Sequence, residues 1–145
     1  MKYKLLYLLP LLIACMTACK KTPVVKTPPL AVPVGNFTGQ YTRLHLTVAT
    51  GVIDTSYAQI LLSIDSMGNY AVTGDTSTLQ AGSYGKCTLG YADDLLFTDK
   101  TLPAKGTPVK DHLSGTYQYT YGFGILTLQK AVSDSLLYEY NFTKN

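Results

Sequence analysis

From Phe37 onward the chain alternates apolar and polar residues with a period of two, not the 3.6 of a helix. Leu44, Leu46 and Val48 alternate with Arg43, His45 and Thr47, and Ala58, Ile60, Leu62 and Ile64 with Tyr57, Gln59, Leu61 and Ser63. Leu113, Gly115, Tyr117, Tyr119 and Tyr121 alternate with His112, Ser114, Thr116, Gln118 and Thr120, and Leu136, Tyr138, Tyr140 and Phe142 with Leu137, Glu139 and Asn141. Side chains along a strand point to opposite faces in turn, so this pattern predicts antiparallel strands with one buried and one wet face. Shorter strands are predicted over 70–73, 84–89, 95–98 and 125–130. Turn-forming residues separate them, as in Asp65-Ser66-Met67-Gly68-Asn69, Gly74-Asp75, Ala92-Asp93-Asp94 and Gly122-Phe123-Gly124. Asp99 to Lys110, with Pro103, Gly106 and Pro108, reads as the one long connection. The predicted fold class is all-β, with little or no helix. About eight strands joined mostly by tight turns make a meander, which best removes its free edges by closing into an up-and-down barrel.

A recurring Gly-x-Tyr marks several strand starts: Gly39-Gln40-Tyr41, Gly68-Asn69-Tyr70, Gly82-Ser83-Tyr84 and Gly115-Thr116-Tyr117. Glycine lets a strand bend or another backbone approach, and a tyrosine two residues on covers the bare spot from the same face. On the expected inward face the first two strands supply mainly aliphatics, while the last ones carry Tyr117, Tyr119, Tyr121, Tyr138 and Tyr140. These five tyrosines are the candidate ligand-binding residues. An aliphatic wall facing a tyrosine wall suits an apolar or ring-bearing ligand, oriented by the hydroxyls. The alternative is that the rings fill the core, since an eight-stranded barrel is only just wide enough to hold either its own side chains or one small ligand.

Phe37-Thr38-Gly39-Gln40-Tyr41, Leu113-Ser114-Gly115-Thr116-Tyr117-Gln118-Tyr119 and the closing Tyr138-Glu139-Tyr140-Asn141-Phe142-Thr143-Lys144 resemble the small lipocalin-like lipoproteins of Bacteroidota. The resemblance covers nearly all of the barrel and implies that fold, with binding of a small apolar ligand. Tyr41 stands where lipocalins proper carry tryptophan, a residue this chain lacks.

The first residues read differently. Lys2 and Lys4 precede an apolar run over 5–13, which closes on Met16-Thr17-Ala18-Cys19 and then Lys20-Lys21. Charge, apolar run and small residue in that order make an export signal, and the run is short of the roughly 20 residues a membrane span needs. A cysteine at the cleavage point resembles the bacterial lipobox, which implies lipidation at Cys19. Leu12-Ile13-Ala14-Cys15 is the competing site. Pro23, Pro28, Pro29 and Pro33 disfavour helix and sheet in the following stretch. The expected organisation is a signal peptide over 1–18, a proline-rich tether over 19–35 and the barrel over 36–145. An extended tether of this kind rises about 3.1 Å per residue, enough to hold the barrel up to roughly 50 Å from a membrane. The lysines behind Cys19, in place of acidic residues, favour the periplasmic face of the outer membrane over surface display.

Charge follows this division. The chain is +3 overall, but from Phe37 onward seven basic residues face nine acidic ones. The basic excess belongs to the signal and tether, and a barrel of net −2 has no basic face for nucleic acid. Catalytic groupings are missing from the pattern: His45 and His112 fall on faces read as exposed, with no metal-ligand spacing around them. Neither a catalytic residue, a cofactor nor a metal is expected. Cys87 alternates with Leu89 and reads as a buried small apolar residue. Two functions follow. One is a membrane-anchored carrier of a small apolar ligand. The other is a non-enzymatic envelope module that meets a partner protein through loops such as 99–110 and 75–80.

Overall fold

A computed structural model describes residues 31–91 and 94–145. Both candidate lipidation cysteines and the export signal lie outside the described residues. Eight strands form the domain: β1 (Gly35–Thr47), β2 (Val52–Ile64), β3 (Asn69–Gly74), β4 (Tyr84–Leu89), β5 (Asp94–Asp99), β6 (Gly115–Gly122), β7 (Ile125–Ser133) and β8 (Leu136–Lys144). Each pairs antiparallel with its sequence neighbours, and β1 pairs with β8 from Phe37↔Lys144 to His45↔Leu136, closing the barrel. The up-and-down barrel expected from the period-two pattern is the observed fold.

Apolar side chains face in. Phe37, Tyr41, Ile60, Leu62, Leu95, Phe97, Leu113, Leu126, Leu128 and Phe142 belong to one core, with Cys87 among them. The outer wall carries Thr38, Gln59, Lys86, Thr116, Gln118, Thr120, Gln129 and Asn141, all exposed. A barrel that spans a membrane has the opposite polarity, so this wall is built to face water.

β1 departs from expectation. Its inward residues are Phe37, Gly39 and Tyr41, with Arg43 in the same phase, because Tyr41 pairs with Ala58 on one side and Tyr140 on the other. Leu44 and Leu46 therefore lie on the outer face, and Val48 sits past the strand end, exposed. The physical reason lies in strand length. β1 and β2 outrun the barrel body, so residues 52–57 are exposed on both faces and alternation there no longer reports an interior.

Glycine shapes the closure. A Cβ on Gly39 would overlap the Asn141 carbonyl and the Phe142 Cα of β8, so the closing seam is as tight as it is only because that position is bare. Of the tyrosines that stand two residues after a glycine, Tyr41, Tyr70 and Tyr117 point inward, whereas Tyr84 points out.

The topology gives the barrel two distinct ends. One, the narrow-turn end, carries the β2–β3, β4–β5 and β6–β7 turns, together with the start of β1 and the end of β8. Asn145 N–H donates to the Asn36 carbonyl here at 2.9 Å. Val32, within the expected tether, already packs against the core at this end, and Pro33 is buried. The other, the loop end, carries the two long connections 75–83 and 100–114 and the tips of the β1–β2 and β7–β8 hairpins.

Candidate functional site

The five candidate tyrosines are not equivalent. Tyr117, Tyr119 and Tyr140 are buried inside the barrel, Tyr138 is half-buried towards the loop end, and Tyr121 lies at the narrow-turn end, 38% exposed. Tyr121 meets Phe37 edge-on at 6.0 Å. The structure thus brings Tyr117, Tyr138 and Tyr140 together with Tyr41, a residue that the inward-face reading of β1 had passed over.

These rings contact one another across the interior. Tyr70 meets Phe97 at 5.0 Å, Phe97 meets Tyr117 at 5.7 Å and Tyr117 meets Tyr140 at 5.6 Å. Tyr140 then meets Tyr41 at 4.7 Å, and Tyr41 meets Tyr138 at 5.6 Å. Several of these are edge-to-face, the arrangement ring quadrupoles favour. The chain of rings runs from β3 through β5, β6 and β8 to β1. The candidate ligand wall is therefore occupied by its own neighbours.

The hydroxyls have a different task. Tyr41 and Tyr138 both donate to the Asp111 carboxylate, at 2.8 and 2.5 Å, and Arg43 stands 3.8 Å from the same group. Asp111 belongs to the 100–114 loop, so strands β1 and β8 grip that loop through one carboxylate. Burial first, and then the adjacent Asp111 charge, push both tyrosine hydroxyls well above their ordinary range. Asp111 also joins the two loops. Its carbonyl accepts from Ala81 N–H at 2.8 Å, and its own N–H donates to the Leu79 carbonyl at 3.0 Å.

Gln80 fills the space beneath and is fully buried. With Nε2 towards the Asp111 carbonyl (3.1 Å) and Oε1 towards Leu113 N–H (3.2 Å), its amide satisfies both groups, and the Tyr140 hydroxyl lies 3.4 Å away. That orientation is assigned from the hydrogen-bond network. Tyr140 is held far above its ordinary range by burial and by the nearby Tyr117. Tyr117, pushed up to about 12 by burial, rests against the Tyr140 hydroxyl and the Ser114 backbone without good hydrogen-bond geometry to either. Lys130 closes the cluster: Nζ donates to the Ser114 carbonyl at 2.7 Å and sits 5.3 Å from the Tyr117 ring centre. Burial lowers the pKa of its ammonium.

A second clip holds the long loop at its ends. The buried Asp99 carboxylate lies 2.7 Å from His112 Nδ1, and Thr101 donates to it through both its N–H and its hydroxyl, each at 2.7 Å. His112 is 12% exposed, not the open surface histidine the alternation predicts. Its place beside Leu113 in the alternation points it outward, but the loop folds back over it. Lys110 Nζ donates to the Thr76 carbonyl at 2.6 Å, tying this loop to 75–83 once more. Val109, between these anchors, is fully exposed.

Outside the barrel, Leu44, Leu46, Ile53, Ala131 and Leu137 border an open apolar groove of about 420 Å³ beside the β7–β8 hairpin. It is formed by the aliphatics that β1 was expected to turn inward. Among the described residues no three His, Cys, Asp or Glu side chains lie close enough to hold a metal ion. Cys87 is 2% exposed, and burial pushes its thiol up to about 12, which suits a packing residue and not a nucleophile.

The loop partners Asp111, Gln80 and Thr101 carry no signal in the sequence pattern, because loop residues have no periodicity to betray which strand they meet, and Arg43 and Asp99 sit on strands whose pattern does not show which loop folds over them. Compared with family models, curated proteins and solved structures, the chain matches none of them.

Proposed function

We propose that this protein is a lipid-anchored, non-enzymatic module of a bacterial envelope, held through Cys19 and meeting a partner protein with its loop end. One observation carries the reading: β1 starts at the narrow-turn end, whereas the long loops gather at the opposite end. A tether leading into the first rim leaves the second directed away from the membrane. The loop end is also held in one shape, by Asp111 between Tyr41 and Tyr138 and by Asp99 against His112. Shape held in advance lowers the entropy lost when a partner binds.

The exposed Val109 and Leu102, and the groove of Leu44, Leu46 and Ile53, offer apolar contact area on that side. The carrier reading asks for free space beside Tyr117 and Tyr140, and those rings touch each other and Tyr41 instead. Lys20 and Lys21 behind Cys19, where surface-displayed lipoproteins carry acidic residues, support the periplasmic face of the outer membrane as the address.

The test has two parts. Intact mass of membrane-extracted protein shows the added lipid on the wild type and none on Cys19→Ser. A photo-crosslinking residue at Val109, in the native envelope, gives a discrete adduct that disappears when residues 102–107 are replaced by a glycine-serine stretch with the crosslinker kept at 109. An adduct unchanged by that replacement, or a small apolar compound that raises the melting temperature while Val109 yields nothing, overturns the loop-end reading.

A further inference from the structure

The narrow-turn end carries a feature that packing of the barrel does not require. It has three tight turns, one at each of alternate hairpins around the rim, and each presents a large apolar residue at its tip: Met67, Tyr91 and Phe123. They are 73%, 110% and 109% exposed. The two hairpin tips at the other end carry no aromatic residue: one holds Val48-Ala49-Thr50-Gly51, with Val48 exposed, and the other Asp134-Ser135.

Phe123 is the most telling. With Gly124 it forms the two-residue turn between β6 and β7, and both residues have positive φ, 51° and 79°. Such a turn favours asparagine or glycine in the first place, and a bulky side chain there is strained. Among the described residues Phe123 is the only non-glycine with positive φ. A strained, fully exposed phenylalanine stabilises nothing in the barrel itself. Val34 and Ile125, also exposed, lie at the same end.

We propose that this rim is a membrane-contact surface: Met67, Tyr91 and Phe123 dip into the headgroup region of the bilayer that holds the lipid anchor and stand the barrel upright on it. The inference rests on the anchored reading above. Its own support is where the chain comes from: β1 begins on this rim, and Val32 and Pro33 pack there, so the tether approaches the barrel from the side bearing the three tips. Aromatic side chains with a polar or exposed edge favour the interfacial layer. The charged groups on this rim are mixed, with Asp65 and Asp94 against Lys86 and Lys144, so contact is driven by apolar insertion and needs no anionic lipid. The barrel then occupies a fixed orientation, and the loop end faces away from the bilayer.

The chain contains no tryptophan, so a single introduced one reports its surroundings alone. The full chain, extracted from membranes and reconstituted in phosphatidylcholine vesicles with brominated acyl chains, is compared as Phe123→Trp and as Val109→Trp. The proposal expects a blue-shifted emission that loses most of its intensity for Phe123→Trp, and an unshifted, unquenched emission for Val109→Trp. Protein that floats with the vesicles but leaves the tryptophan at 123 unquenched overturns the membrane contact while anchoring stands, and equal quenching at both positions overturns it too. Failure to float refutes the anchor. The same chain with an N-terminal hexahistidine, held on a nickel-chelating lipid, then decides the contact by the same two emissions.

Discussion

Raising the pH should unfold this barrel through its tyrosines. Tyr41, Tyr70, Tyr117 and Tyr140 are at most 3% exposed, and all four are held above the ordinary tyrosine range, with burial the largest cause in each. In the unfolded chain a tyrosine ionises near pH 10. Above that pH the unfolded state releases protons that the folded state retains, so the stability these groups contribute is whole below pH 10 and drains away as pH rises towards their folded values. Each fully buried group removes about 1.4 kcal/mol per pH unit, and four together about 5 kcal/mol per pH unit. Tyr138 is left out because it is only half-buried and solvent screens its charge. A domain with about 5–10 kcal/mol of stability is then exhausted roughly one to two units above pH 10.

The assay is a paired titration, with far-ultraviolet circular dichroism for the sheet and tyrosinate absorbance for the rings. The expected result is a cooperative step in absorbance coincident with loss of the sheet signal. Tyr117→Phe, whose hydroxyl makes no good hydrogen bond, should lower the slope by about 1.4 kcal/mol per pH unit and leave neutral-pH stability nearly unchanged. Complete tyrosinate formation with the sheet signal intact refutes the reasoning, because it requires the four hydroxyls to ionise inside the barrel.

Three further outcomes follow from single side chains. Asp111→Ala removes the acceptor of two charge-assisted hydrogen bonds, each worth about 1.5–3 kcal/mol, so thermal unfolding should show a loss of about 3 kcal/mol and limited proteolysis should now cut within 100–110. Gly39→Ala sets a methyl against the β8 backbone and should destabilise by about 3 kcal/mol or more in denaturant titration, whereas Gly51→Ala, with open space around it, should lose only about 1 kcal/mol from its positive φ. Phe123→Asn relieves the strained turn and should raise stability by about 1 kcal/mol, seen as a rise of several degrees in melting temperature.

The barrel was legible because burial on one face imposes a period of two wherever a strand has an inside. That condition holds for Ala58, Ile60, Leu62 and Ile64 and for Tyr117 and Tyr119, which all point inward as read. It fails for Leu44 and Leu46, where the strand outruns the core and alternation is free to follow the outer groove instead. The correct phase was present nearby, in the Phe37-Gly39-Tyr41 spacing that the seam with β8 demands.

Tyr117, Tyr119 and Tyr140 lie on the inward face that the alternation indicates, while Tyr121 does not, and the use of the hydroxyls is not readable from the pattern. A hydroxyl on a strand shows that it needs a partner without showing which, and here the partner comes from a loop far away in sequence, as with Asp111 for Tyr41 (70 residues) and for Tyr138 (27). His112 and Asp99 pose the same difficulty: a loop that returns on itself leaves no periodic trace.

The closing seam has a consequence for how this molecule can be recut. Residues 36 and 145 are joined by a backbone hydrogen bond at one rim, while Lys105 and Gly106 lie in an exposed stretch of the opposite one. Bridging residue 145 to residue 35, beside that bond, with a short linker and opening the chain at the second pair gives a circular permutant that keeps every strand pairing. On the anchored reading proposed above, that permutant fused to the same tether would hang from the membrane upside down. It would fold as well as the original, yet bury its loops in the lipid surface and turn Phe123 towards the solvent, separating what the barrel is from which way it faces.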